Sequence, residues 1–254
     1  MNNEVKLLLD DAVKKINNKG FILNDPICVP HQFNKKQDIE IAGFFAATFA
    51  WGNRKTIINK TNELLNLMDH APHDFILHHT DADLKLMEHF VHRTFNATDL
   101  FYFIETLHCM YLQNNSLENI FVKHTATQKF TMQHALKDFY FEFFNDEFAP
   151  QRTRKHIATP DRKSACKRLC MYLRWMVRDD KKVDFGIWKK IKSADLICPL
   201  DVHSSNIARR LNLLQRKQND WQAAVELTES LKKFDALDPV KYDFALFGMG
   251  VSNI

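Results

Sequence analysis

"PLDVHSSNIARRLNLL", residues 199–214, places an aspartate directly ahead of an amphipathic helix, with a histidine two positions on. Asp201 followed by Ser204 is good N-cap chemistry, because a carboxylate there accepts the free N–H groups of the first turn. The pattern predicts a helix over 201–213. A second use is compatible with the first. Backbone donors and the helix dipole keep such a carboxylate ionised, and an anion at a helix start can stabilise a neighbouring oxocarbenium ion.

Outward from this segment nearly every apolar pattern has helical period. It predicts helices at about 3–18, 38–51, 54–69, 81–91, 97–112, 130–146, 164–178, 219–233 and 239–248 besides 201–213. No stretch alternates cleanly enough for a strand. Six glycines and seven prolines in 254 residues, the prolines mostly between periodic segments, argue for helices with short connections. The expected class is all-α. At 45% hydrophobic and 26% charged residues the composition is that of a soluble globular protein large enough for a real core. "IEIAGFFAATFAWG" is apolar nearly all round and reads as a helix buried at the centre. No apolar run reaches membrane-spanning length and the N-terminus has no secretory h-region, so no membrane partner is expected. Five scattered cysteines read as reduced thiols in a cytoplasmic protein.

The net charge of +4 is unevenly spread. Residues 151–217 carry 18 Lys/Arg against 6 Asp/Glu, so this segment is +12 and the remainder −8. A basic segment on an acidic chain suits a polyanion, although a solvated lysine-rich face is the plainer reading of charge alone. Within it, "KSACKRLCMYLRWMVR" (163–178) sets Ala165, Leu169, Tyr172, Leu173 and Met176 on a core stripe. Lys163, Lys167, Arg174 and Arg178 fall on a second stripe, where four like charges repel unless a phosphate backbone lies alongside. Lys167 lies in that stripe next to the core face. An amine crowded by cations and partly desolvated loses its proton more readily, as a nucleophile must, but one more phosphate-contacting lysine explains it as well.

Other candidates carry less. His203 suits a local hydrogen bond or a backbone contact. Cys166-x-x-x-Cys170 has no second pair to make a zinc site, and "HHTDAD" has metal-capable residues without a ligand spacing. No phosphate-binding glycine loop, H-E-x-x-H or nucleophile elbow is present, and neither metal nor cofactor is expected.

"PLDVHSSNIARRLNLL" resembles the V-D-T-H-x-x-R-x-x-x-R-L segment of the helix-hairpin-helix DNA glycosylases, the endonuclease III-like superfamily. "DIEIAGFFAATFAWGNRKTIINKTNELL", "FVHRTFNATDLFYFIETL" and "DPVKYDFALFGMGV" resemble its early buried helix, its middle segment and its closing helix, in the right order over about 38–250. The whole chain is similar to an uncharacterised bacterial family whose pattern includes "SACKRLCMYLRWMVR", itself distantly similar to the archaeal 8-oxoguanine DNA glycosylases. The separation of 34 between Lys167 and Asp201 suits that archaeal arrangement. "HIATPDRKSACK" stands where the superfamily has its L-P-G-x-G hairpin, and it holds no glycine; the related family usually has glycine at the position of Lys163. No trailing cysteines follow to hold an iron–sulfur cluster.

The resemblance implies a helix-hairpin-helix glycosylase-like bundle of two lobes, one from about 38–180 and the other from 1–37 with 195–254. It implies a monomeric DNA-repair enzyme that flips a damaged base, for example an oxidised purine, out of double-stranded DNA. Lys167 (or Lys163) would attack the sugar C1′ across the cleft from Asp201, with abasic-site lyase activity as a companion. Trp51 would stack on the base, and Asn53, Arg54, Lys163, Arg174, Arg178 and His203 would face the nucleic acid. A non-catalytic nucleic-acid-binding protein on the same scaffold, or a helical module meeting an acidic protein, are the alternatives.

Overall fold

The computed structural model describes residues 3–123 and 130–251, with the side chain of the last left out. It is predominantly helical. In chain order the helices are α1 (Asn3–Ile16), α2 (Lys19–Ile22), α3 (Lys36–Thr48), α4 (Arg54–Leu67), α5 (Pro72–His78), α6 (Asp81–Lys85), α7 (Ala97–Gln113), α8 (Glu118–Phe121), α9 (Met132–Phe143), α10 (Lys167–Val177), α11 (Val202–Arg210), α12 (Trp221–Lys232) and α13 (Asp243–Val251). None of them is long and apolar enough to cross a membrane, among the described residues.

The helix expected over 81–91 is the clearest departure. A Thr80–Asp83 capping box starts α6, which stops at Lys85. The chain then forms an antiparallel pair, β1 (Val91–His92) and β2 (Phe95–Asn96), turning through Arg93 at φ 57°. Phe90 and Phe95 are both buried, and a short apolar pattern of this kind has no period long enough to separate helix from hairpin. The segment expected as a helix over 239–248 divides instead, because Pro239 opens a 3₁₀ turn to Tyr242 before α13 begins.

The chain forms two compact units. The central unit comprises Asn24–Phe130 and His134–Ile157. Its core is α3, buried continuously from Ile39 to Thr48 as its all-round apolar sequence requires. Phe44, Phe45 and Phe49 meet Phe95, Phe103, Phe139 and Phe143 in ring contacts around it. Glu40, fully buried in this helix, accepts hydrogen bonds from Tyr111 Oη (2.9 Å), Ser116 Oγ (2.5 Å) and the Leu117 N–H (3.2 Å). A buried carboxylate is tolerated only with such partners.

The terminal unit comprises the chain up to Leu23, Thr131–Gln133 and everything from Ala158 onward. Its boundary falls at 157/158, whereas the resemblance implies one near 180, so α10 belongs with α11–α13 rather than with α3. The physical reason is that α10 is buried by partners from its own C-terminal side: Leu169 to Arg178 are buried without a break. Helix α13 packs on both α1 and α11. Glycine allows both approaches, since a Cβ at Gly248 would fall 1.9 Å from Ile16 Cδ1 and one at Gly250 would fall 2.9 Å from His203 Cβ.

Candidate active site

Asp201 is the N-cap of α11. Its Oδ1 accepts the Ser204 N–H at 2.9 Å, and Ser204 Oγ accepts the Asp201 N–H at 2.9 Å, closing a reciprocal box. Oδ2 points elsewhere. It stands 4.0 Å from Lys167 Nζ, and both side chains keep 29% of their surface. The two residues singled out for chemistry are therefore neighbours, and they meet within the terminal unit. Lys167 is the first residue of α10, entered through Cys166 in the left-handed region at φ 51°.

Below Lys167 the same face of α10 carries Met171, Arg174 and Arg178, each one turn further on. Met171 Sδ lies 3.6 Å from Lys167 Nζ. Arg174 Nη1 pairs closely with Asp243 Oδ2, and its Nε lies 3.3 Å from Asp184 Oδ1. Arg178 reaches Asp180 at 2.5 Å, Asp184 at 3.0 Å and Asp238 at 2.8 Å. Both guanidinium groups also lie over the Phe244 ring, at 4.3 and 5.5 Å. Cations along one helix face are thus matched by carboxylates from three other segments. The ladder is loosest at its exposed end, Lys167 with Asp201, and tightest inside.

This overturns the assignment of Arg174 and Arg178 to a nucleic-acid surface. They are only 3% and 5% exposed, and no phosphate could reach them without breaking buried ion pairs. It also removes the cation crowd expected around Lys167, which is faced by carboxylates. The helical spacing was correct, but the carboxylates opposite come from residues 180–184, 238 and 243, which no local pattern ties to α10.

The electrostatics vary along the ladder. Burial pushes the Asp243 carboxyl up to about 6, against the pull of Arg174 and Lys167. Burial likewise raises Asp184 despite its two arginines. For Asp180 partial burial pulls upward but is outweighed by the N–H groups of Val183 and Lys182 and the charge of Arg178, so it moves down. Burial drives Cys166 up to about 12 and raises Cys170 and Cys198 well above the usual thiol range, so these three stay protonated.

Of the other candidates, Lys163 is exposed and lies outside α10, closing a 3₁₀ turn in the left-handed region at φ 57°. His203 is exposed on the first turn of α11, its Cβ against Gly250. Trp51, Asn53 and Arg54 belong to the central unit. There Trp51 is half-buried between the edges of His92 and His156, with the Arg93 guanidinium over its ring at 5.3 Å. Asn53 caps α4, accepting the Lys55 N–H at 2.9 Å, and Arg54 begins that helix. Among the described residues no three His, Cys, Asp or Glu side chains are grouped to hold a metal ion. Asp243 and Asp184 are the participants that sequence reasoning missed. The trace each left was local: "RDDKKVD" sets three aspartates straight after α10, and "LDPVKYD" sets one ahead of α13 and one as its first residue.

A family model described as a protein of unknown function, DUF2400, matches residues 25–252. The chain belongs to that family. Lys167, Asp201, Asp243 and all the ladder partners lie inside the DUF2400 match. Comparison with curated proteins and with solved structures gives no match.

Proposed function

We propose that this DUF2400 protein is a DNA base-excision enzyme, a glycosylase with abasic-site lyase chemistry on a helix-hairpin-helix glycosylase-like scaffold. The observation that carries the reading is the meeting of an amine and a carboxylate, Lys167 Nζ and Asp201 Oδ2, at the rung of the ladder whose cation and carboxylate are both part-exposed. Neutral Lys167 attacks the sugar C1′ as the C1′–N bond breaks, and the bonding pair leaves with the base nitrogen, which takes a proton. Asp201 Oδ2 faces the positive charge that develops on the sugar, while Oδ1 remains tied to the helix. A proton then passes from the nitrogen to O4′ as the C1′–O4′ bond opens and the nitrogen lone pair forms the C=N bond, giving a Schiff base from which the strand can be cleaved. The turn before α10 supports the scaffold: Lys163 and Cys166 both take the left-handed conformation for which a hairpin of this kind ordinarily uses glycine.

The test is a panel of duplexes bearing defined damaged bases or an abasic site, with borohydride added to reduce the imine. The wild type is expected to release one class of base and to form a covalent protein–DNA product, and Lys167→Gln to do neither. Loss of trapping in Lys163→Gln alone moves the nucleophile to Lys163. Duplex binding with no base released and no trapping leaves the non-catalytic binding protein as the answer.

A further inference from the structure

Resting on that reading, we propose that Met171 is a positioning residue for Lys167: its thioether sulfur is an uncharged acceptor that, together with Asp201, aims the lone pair of the attacking amine. Lys167 Nζ donates to Met171 Sδ at 3.6 Å and stands 4.0 Å from Asp201 Oδ2. The sulfur arrives there for a local reason. Long side chains on an α-helix lean back over the preceding turn, and Met171, one turn into α10, leans over the turn that Lys167 begins. Its unbranched chain is 8% exposed, so the acceptor is held in packing while the lysine side chain retains 29% of its surface.

A neutral primary amine has two N–H bonds and one lone pair. A thioether sulfur and a carboxylate oxygen accept and do not donate. When the two N–H bonds turn to these acceptors, the lone pair takes the remaining tetrahedral position, directed away from both. In the ammonium form a third N–H occupies that position, and loss of its proton leaves the lone pair already aimed. Sulfur suits this task better than a second carboxylate would. It carries no charge, so it directs an N–H without adding another counter-ion to retain the ammonium proton. Without the sulfur, one N–H remains drawn to Asp201, and rotation about Cε–Nζ carries the lone pair off line. Misalignment of a reacting pair costs rate rather than affinity.

The test is the single-turnover rate of borohydride trapping at saturating abasic-site duplex, with duplex affinity measured beside it. Met171→Leu keeps the apolar volume and removes the acceptor, a swap that cores tolerate. It should slow trapping by about 10-fold with affinity unchanged, and Met171→Gln, whose amide oxygen reaches the place of the sulfur, should restore most of the rate. Trapping by Met171→Leu at the wild-type rate, or equal slowing by leucine and glutamine, reduces Met171 to packing and overturns the proposal. The contact itself is read without DNA. In methionine methyl-¹³C NMR the signal that disappears in Met171→Leu belongs to Met171, and it should shift in Lys167→Ala; a signal that stays in place overturns the contact. A shifted signal in a wild type that traps on no duplex leaves the contact standing and identifies the enzyme reading as what failed, and the aiming role falls with it.

Discussion

At the scale of the residue, Asp201 has two oxygens with two occupations. Oδ1 accepts the Ser204 N–H and starts a helix, and Oδ2 stands opposite an amine. Asparagine retains a carbonyl oxygen for the first and loses the charge required by the second. Asp201→Asn should therefore melt within a few tenths of a kcal/mol of the wild type, since Asn and Asp cap about equally well. It should bind duplex and release no base. A variant that melts much earlier yet works normally per folded molecule would reduce Asp201 to a cap. The capping role was legible in four letters of sequence. The direction of the other oxygen was not, because it depends on where α10 lies, and α10 is 34 residues upstream.

At the scale of the element, α10 shows how a correct period can carry a wrong environment. The spacing of Lys167, Arg174 and Arg178 was visible, and so was the core stripe beside it. Four cations without visible partners suggested a phosphate surface. The partners of the two arginines arrive from Asp180, Asp184, Asp238 and Asp243, and a net charge summed over one segment does not count carboxylates contributed by another. Two measurements follow. Arg174→Ala strands Asp243 in the interior and leaves Asp184 with Arg178 alone, and its stability should fall by about 3–5 kcal/mol, the usual effect of breaking a buried ion pair by removing one partner. The slope of duplex affinity against salt should be unchanged for any fraction that folds, because no counterion is displaced at a residue that meets no phosphate. A flattened slope would return Arg174 to the interface.

At the scale of the whole molecule, the paired carboxylates make stability depend on pH in two opposed ways. Asp243 holds its proton more tightly folded than unfolded, up to about 6 against an ordinary value of 3.8. Its contribution is complete below the unfolded value and is lost as pH rises through about 6. Asp184 is raised in the same direction. Asp180 and Asp235 are lowered, so their contributions are present above the ordinary carboxylate value and disappear as pH falls through their folded values. On moving from neutral pH to about pH 5, Asp243→Asn should therefore gain less stability than the wild type. The difference should be about 1.4 kcal/mol by pH 5, one unit below the folded midpoint, and approaches about 3 kcal/mol only below the unfolded value. Denaturant melts at a series of pH values measure it, and parallel curves for the two proteins would contradict the assignment.

The division of the chain also sets an order of events during synthesis. The central unit is nearly continuous in sequence and has all its residues once Ile157 has emerged. The terminal unit begins with α1 and is completed only by α13, which packs on α1 from the opposite end of the chain. Arg174 emerges 69 residues before Asp243. Asp180 and Asp184 follow α10 at once, but on the ribosome Lys167 lacks Asp201, Arg178 lacks Asp238 and Arg174 lacks Asp243 until those residues are made. Such a helix cannot be buried early at tolerable cost, and it must wait in water or in the hands of a chaperone. Helix α13 is the element that allows the unit to close. The candidate active site thus gains its buried support only once α13 has emerged, when Arg174 at last meets Asp243.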